Sequence, residues 1–230
     1  MDSFSRHFGP KVLLPQYILE MQALLEHALV SADLVGLSWA TLSGEDLAAR
    51  HPDMEKHGIV RHGWLRQWWR ENHHRTRGVI SDAHLQWELA RSDYWHRLLR
   101  GQRRIGLINA SPTLPGKLEK VLGVEVLHFR LPDRFVNRDW WEDDQGREPI
   151  YPDAWRRITT ALRHTDLSGT IVLVGAGIMA KAYCQAVKEL GGISLEMGAL
   201  LDLWDGRSTR PRVLKRLSSS PEDFSLDRFV

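Results

Sequence analysis

Apolar residues recur at three- and four-residue spacing from Pro15 to Ala32, where Ile18, Met21, Leu24, Leu25, Ala28 and Leu29 fall on one face. That period predicts an amphipathic helix, and Pro15 suits its first turn, where an N–H has no partner to lose. Asp33 to Leu37 predicts a short strand. Ser43 then caps a short helix through Ala49, His51-Pro52 ends it, and a further helix lies around Trp64 to Asn72. Gly78 to Ile80 reads as a strand, and Ser81 as the cap of a helix through Ala90 that continues to Arg100. Arg104 to Ala110 is a strand, Pro115 to Leu122 a helix, Val124 to Leu131 a strand and Asp153 to His164 a helix capped by Asp153. Between the last two, Leu131 to Pro152 is charged, rich in turns and too long for a plain connector, so a lid or binding loop is expected. Strands separated by helices predict an α/β fold with a mostly parallel sheet and helices on both faces. Ser218-Ser219-Ser220-Pro221 begins what reads as a loose C-terminal tail.

The stretch from Thr170 to Arg210 carries the clearest chemistry. A strand (Thr170 to Val174) runs into a glycine turn, Gly175-Ala176-Gly177, then a helix (Ile178 to Leu190) and a second strand (Ile193 to Glu196). A buried parallel strand meeting a glycine turn and a helix start is a Rossmann-like phosphate site. The glycines let backbone approach the ligand, and the unpaired N–H groups of the helix start attract negative charge. A bound nucleotide, or a nucleotide-activated molecule, is therefore expected. Gly175 to Ala180 also fits G-x-G-x-x-A, with Glu196 about 20 residues on where a ribose-binding acid belongs. That pattern leaves an NAD(P)-dependent oxidoreductase open, although only 34 residues follow Glu196 and a dinucleotide fold needs more strands.

Composition narrows the partners. With 31 basic and 29 acidic side chains the net charge is +2, which argues against a general nucleic-acid binder. The single cysteine, Cys184, excludes an internal disulfide and suits a reducing cytoplasm. Met1 to Pro10 lacks the apolar run of a signal peptide, and no stretch approaches the roughly 20 apolar residues of a membrane span. Charge is nevertheless uneven: ten arginines lie between Arg61 and Arg104 against four acids, with Trp64, Trp68, Trp69, Trp87 and Trp95 among them. Either this is an amphipathic helical region with tryptophan as core and arginine as rim, or it faces an anionic membrane surface, a phosphorylated acceptor or a protein partner.

After the second strand the chain reads Glu196-Met197-Gly198, Asp202-x-Trp204-Asp205-Gly206 and Thr209-Arg210. Together with Gly175, Gly177, Lys181, Tyr183, Lys188, Gly191 and Gly192, these residues resemble, in order, the C-terminal signature of the bacterial glycosyltransferases of the GT-D fold. Weaker similarity reaches back through Tyr151-Pro152, Ile105 to Asn109, Ser81 to His84 and Ala32 to Leu37, so the resemblance covers about Leu24 to Arg210. It implies one α/β nucleotide-sugar-binding domain over 1–210, with the Trp/Arg-rich helical region at about 57–103 and a tail over 211–230. The implied activity is transfer of a sugar from a nucleotide sugar, a UDP-sugar first, to a glycan, protein or lipid-linked acceptor. Members of the family hold a divalent ion, manganese or magnesium, through an N-terminal Asp-x-Glu. Here Ser5-Arg6-His7-Phe8-Gly9-Pro10-Lys11 stands in that place without either carboxylate. A catalytically impaired nucleotide-sugar-binding pseudoenzyme or partner subunit is thus the alternative.

The candidate site residues follow. Gly175, Ala176, Gly177 and Gly198 would approach the ligand with backbone, and Lys181, one turn into the helix, would reach a phosphate. Glu196 would hold a ribose hydroxyl, and Asp202 the base or a sugar hydroxyl. Trp204 either stacks on a base or sugar or closes the core. Arg210 offsets diphosphate charge as the bond breaks. Asn109 and Ser111 follow a strand at the edge where α/β sheets take ligands. No histidine pattern reads as a zinc site, so no metal ligand is assigned.

Overall fold

In the computed structural model, residues 14–37, 65–132 and 148–229 are described. The predicted Ser43 helix, Trp64, the segment around Arg6 to Lys11 and most of the Leu131–Pro152 loop lie outside them. The chain opens with α1 (Pro15–Ser31) and β1 (Leu34–Leu37), and after the helical stretch α2 (65–72) comes β2 (Val79–Asp82). Two short helices, α3 (Leu85–Ala90) and α4 (Tyr94–Arg100), lead to β3 (Arg104–Asn109), α5 (Leu114–Leu122) and β4 (Glu125–Arg130). Then come α6 (Trp155–Arg163), β5 (Ile171–Val174), α7 (Ala180–Glu189), β6 (Ile193–Glu196), α8 (Leu200–Trp204) and α9 (Pro211–Arg216).

All strand pairings among the described residues are parallel. β1 and β2 form a two-stranded sheet with Leu34 opposite Val79, and the larger sheet has the order β4-β3-β5-β6. Its inner strands are buried on both sides, which is why Ile105 to Ile108 and Ile171 to Val174 carry so few polar residues. Alternate residues serve opposite faces. Ile105, Leu107, Ile171 and Leu173 pack with α3, α4, α5 and α8 on the first face. Ile108, Val172 and Val174 pack with α1, α6 and α7 on the second. From β3 the chain crosses to β4 in one direction, and from β5 to β6 in the other. Right-handed crossovers running in opposite directions must lie on opposite faces, as α5 and α7 do. The structure is α/β with a parallel, Rossmann-like sheet and helices on both faces.

Local side-chain chemistry moves several predicted boundaries. Ser81 does not cap a helix; it pairs with Gly36 inside β2, and Asp82 Oδ1 accepts the His84 N–H at 2.7 Å to turn the chain instead. The expected continuous helix to Arg100 breaks at 91–93. There Ser92 Oγ donates to the Leu89 carbonyl and accepts the Tyr94 N–H, local bonds that compete with helix propagation.

The C-terminal segment is not loose. Phe224 and Leu226 are each 1 % exposed and join the core of the first face. The Phe224 ring meets Trp87 edge-on, with centroids 5.3 Å apart. Arg91 reaches the Leu217 carbonyl and Ser219 Oγ. Trp87 and Trp95 are themselves buried, so this part of the Trp/Arg-rich region follows the amphipathic pattern, with tryptophan as core and arginine at the rim. Among the described residues no helix is long and apolar enough to cross a membrane.

Candidate functional site

The strand order puts a break in winding direction between β3 and β5. These two strands are neighbours, yet after their C-terminal ends one chain turns to α5 on the first face and the other to α7 on the second. Such a divergence leaves a crevice above the strand ends, the place where open α/β sheets bind ligands. Asn109 ends one strand and Gly175 follows the other, with the Gly175 N–H donating to the Ile108 carbonyl at 2.8 Å.

The glycine turn divides its labour. A Cβ on Gly175 would sit 2.9 Å from Leu201 Cδ1 and 3.3 Å from the Gly198 carbonyl, so this glycine lets α8 close against the strand end. Ala176 is half-buried against the second face. Gly177 has φ 57° and is exposed, as is Ile178, so the open part of the turn is at Gly177. A one-turn 3₁₀ segment (Gly177–Met179) precedes α7, which begins two residues later than expected.

Two of the expected ligand contacts meet each other. Lys181 on α7 and Glu196 at the end of β6 form an ion pair on the same edge, with side chains 47 % and 37 % exposed. Exposed pairs of this kind contribute about 0–1 kcal/mol, so either partner is free to exchange for a ligand.

Asp202 sits at the start of a polar chain that the sequence pattern leaves unexplained. Thr209 Oγ1 donates to Asp202 Oδ2 at 2.6 Å, and Arg207 lies 3.6 Å from Asp202 Oδ1 and 3.0 Å from Asp205 Oδ2. Thr113 Oγ1 donates to Asp205 Oδ1 at 2.6 Å, and Ser111 Oγ lies 3.1 Å from Thr113 Oγ1. The chain thereby ties the loop after β3 to the segment after α8. Burial pushes the Asp202 carboxyl above its usual range, against the Thr209 hydrogen bond and the Arg207 and Arg210 charges. Because folding raises this pKa, ionised Asp202 opposes folding above the raised value. That opposition disappears as pH falls below the unfolded carboxyl's pKa, about 3.9. Asp202→Asn should therefore be at least as stable as the parent at neutral pH, the difference closing in acid, while the nucleotide-sugar binding expected from the sequence should weaken. Urea unfolding across that pH range, beside a binding titration, checks both. A variant that unfolds, or that keeps full affinity, removes Asp202 from the site.

Other expected contacts are placed differently. Trp204 is 2 % exposed and packs in the core of the first face, so it closes the core and offers no ring for stacking. Ser111 is fully buried, and its hydroxyl accepts the Thr113 and Leu114 N–H groups at 3.1 and 3.0 Å, fixing the start of α5. Asn109 is 3 % exposed, with His128 Nε2 lying 3.2 Å from both its carbonyl and its Oδ1. Nε2 can donate to these oxygens, and burial lowers the His128 pKa from its ordinary value. Arg210 is exposed beside Asp202.

His128, Thr113 and Arg207 were not singled out from the sequence. The available signal for His128 is a polar residue inside the apolar run Val126-Leu127-His128-Phe129. Among the described residues no cluster of three or more His, Cys, Asp or Glu side chains suits a metal ion. The carboxylates near the crevice are each engaged: Glu196 by Lys181, Asp202 by Thr209, Asp205 by Thr113 and Arg207. A cavity of about 170 Å³ opens elsewhere, between α1, α6 and α7, and its lining includes none of these groups. Comparison with models of known families, with curated proteins and with solved structures finds no match to this chain.

Proposed function

We propose that the chain binds a nucleotide sugar, a UDP-sugar first, in the crevice above β3 and β5 and transfers the sugar to a glycan, protein or lipid-linked acceptor. The observation that carries this reading is that the open Gly177 turn, the Lys181–Glu196 pair and the half-buried Asp202 all follow the C-terminal ends of strands of one parallel sheet. The resemblance of Gly175 to Arg210 to the GT-D signature supports the donor class.

In this reading the diphosphate lies against the turn, and Lys181 leaves Glu196 to meet it. Glu196 then takes a ribose hydroxyl. Asp202, with its raised proton affinity, takes a hydroxyl hydrogen bond from the base or sugar. Arg210 offsets the charge that builds on the diphosphate as its bond to the sugar breaks. A divalent ion would supply the same neutralisation in the family. Among the described residues Asp202 and Asp205 are held by Thr209, Thr113 and Arg207, and no cluster of three or more His, Cys, Asp or Glu suits such an ion.

The paired state of those carboxylates also favours a second reading, a nucleotide-sugar-binding partner subunit with impaired catalysis. An NAD(P) enzyme is less well supported. It rests on the G-x-G-x-x-A turn and Glu196 alone, and Glu196 is paired with Lys181.

Melting curves with UDP, UDP-sugars, GDP-sugars and NAD(P) separate these readings. A nucleotide at 100 times its dissociation constant should add about 2.7 kcal/mol of stability. UDP or a UDP-sugar is expected to do so and NAD(P) is not. Manganese should raise transfer or hydrolysis of the UDP-sugar only weakly over EDTA controls. Nucleotide binding with no turnover selects the partner subunit; tight NAD(P) binding overturns the proposal.

A further inference from the structure

The cavity between α1, α6 and α7 has the make-up of a second ligand site. Residues one or two turns apart line it: Leu24 and His27 on α1, Trp155 and Arg163 on α6, Ala182 and Ala186 on α7. The two alanines leave space that larger side chains would fill. Trp155 packs on the buried Tyr183, ring centroids 4.9 Å apart, which holds the indole as a fixed wall. At about 170 Å³ the space exceeds the roughly 150 Å³ apolar cavity that accepts benzene.

Its polar side is unbalanced. Glu189 accepts from Gln185 Nε2 at 2.9 Å and meets His27 Nε2 at 2.9 Å, contacts that keep its carboxyl ionised below the usual range. Its carboxylate is therefore already engaged. Arg163 has no hydrogen bond or ion pair among the described residues and only a minor attraction to Glu189. The group without a partner is a guanidinium, whose planar fork suits a carboxylate.

We propose that this cavity binds a small carboxylate bearing one aryl ring or a short alkyl chain. Arg163 takes the carboxylate, and Trp155, Leu24 and the two alanines take the apolar body. The ligand bridges α1 to α6 and α7. α1 is joined to α7 by Met21 in the core of the second face and by polar contacts at its C-terminal end, Ser31 Oγ to Gln185 and Lys188 to the Ser31 carbonyl. Occupancy thus firms the attachment of α1. The site shares no residue with the crevice and does not rest on the nucleotide-sugar reading.

The test titrates the full chain, ¹⁵N-labelled, with benzoate, indole-3-acetate and hexanoate, using benzamide and benzylamine as neutral and cationic controls. At least one carboxylate should shift α1, α6 and α7 amides saturably, and the controls should bind more weakly. Arg163→Gln, an exposed change, should weaken the carboxylate about 10-fold or more, since a hydrogen bond to a charged group is lost. Ala186→Leu should abolish binding by filling the space, and Glu189→Gln should tighten it. UDP binding, measured beside it, should be unchanged by Arg163→Gln. Absence of a saturable shift with all three carboxylates, equal binding of benzylamine, or affinity unchanged in Arg163→Gln overturns the proposal.

Discussion

Replacing Phe224 by alanine should lower the free energy of unfolding by about 3–5 kcal/mol, the cost of truncating a deep-core aromatic. The segment that carries it begins with Pro221 and looks dispensable in the sequence, yet the ring is 1 % exposed and stands edge-on to Trp87. The Arg91 guanidinium carbon lies 5.9 Å from its centroid, a cation–π distance. Leu226 fills the same cluster, and its carbonyl accepts from His96 Nε2 at 2.7 Å. Removing the ring therefore opens a cavity against Trp87 and strips a partner from Arg91. The exposed Lys117–Asp227 pair, 3.0 Å apart, gives the contrast, because breaking it should cost no more than about 1 kcal/mol. Urea unfolding of Phe224→Ala and Asp227→Ala measures both. A Phe224 variant within about 0.5 kcal/mol of the parent would mean that the segment is the loose tail its sequence resembles.

That contrast explains which parts of the fold were legible. Elements with a clear apolar pattern announce themselves: β5, β6 and α1 each fall within a residue of expectation, although only β5 is buried throughout and α1 buries just Met21 and Ala28. The C-terminal segment has no period. Two isolated residues, Phe224 and Leu226, anchor it, and isolated apolar residues carry no periodic signal. The break between α3 and α4 was missed for another reason: Ser92 satisfies backbone groups locally, a choice that competes with the helix and is invisible in hydrophobic spacing.

The candidate site divides along similar lines. Glycine turn, Lys181 and Glu196 were legible because strand-turn-helix order alone brings them to one edge. Asp205, Arg207 and Thr113 form a chain across loops 92 residues apart in sequence, and only the strand order brings them together. Trp204 shows the limit of motif reading. A tryptophan beside an acid and a glycine offers a stacking ring or a core plug, and the difference is burial, which depends on where α8 lands.

Gly177→Ala should cost stability and ligand affinity together, whereas Gly123→Ala should cost stability alone. Both glycines have positive φ, 57° and 69°, where an added Cβ costs about 1–2 kcal/mol. Gly123 ends α5 at the opposite end of its helix from the strand-end crevice, and its Cβ would meet nothing within 4 Å. It therefore isolates backbone strain from any effect on the site. At Gly177 the turn is open, and a nucleotide diphosphate lying against it would draw hydrogen bonds from the backbone of the turn. Losing one bond to a charged group costs about 1.5–3 kcal/mol, roughly a 10- to 150-fold rise in dissociation constant. Titration of both variants with UDP, corrected for their melting temperatures, reads the difference directly. Equal loss of affinity in the two would trace it to strain and detach the nucleotide from the turn. Full affinity in Gly177→Ala would move the diphosphate elsewhere along the strand ends, toward Asn109 and the His128 ring beside its amide.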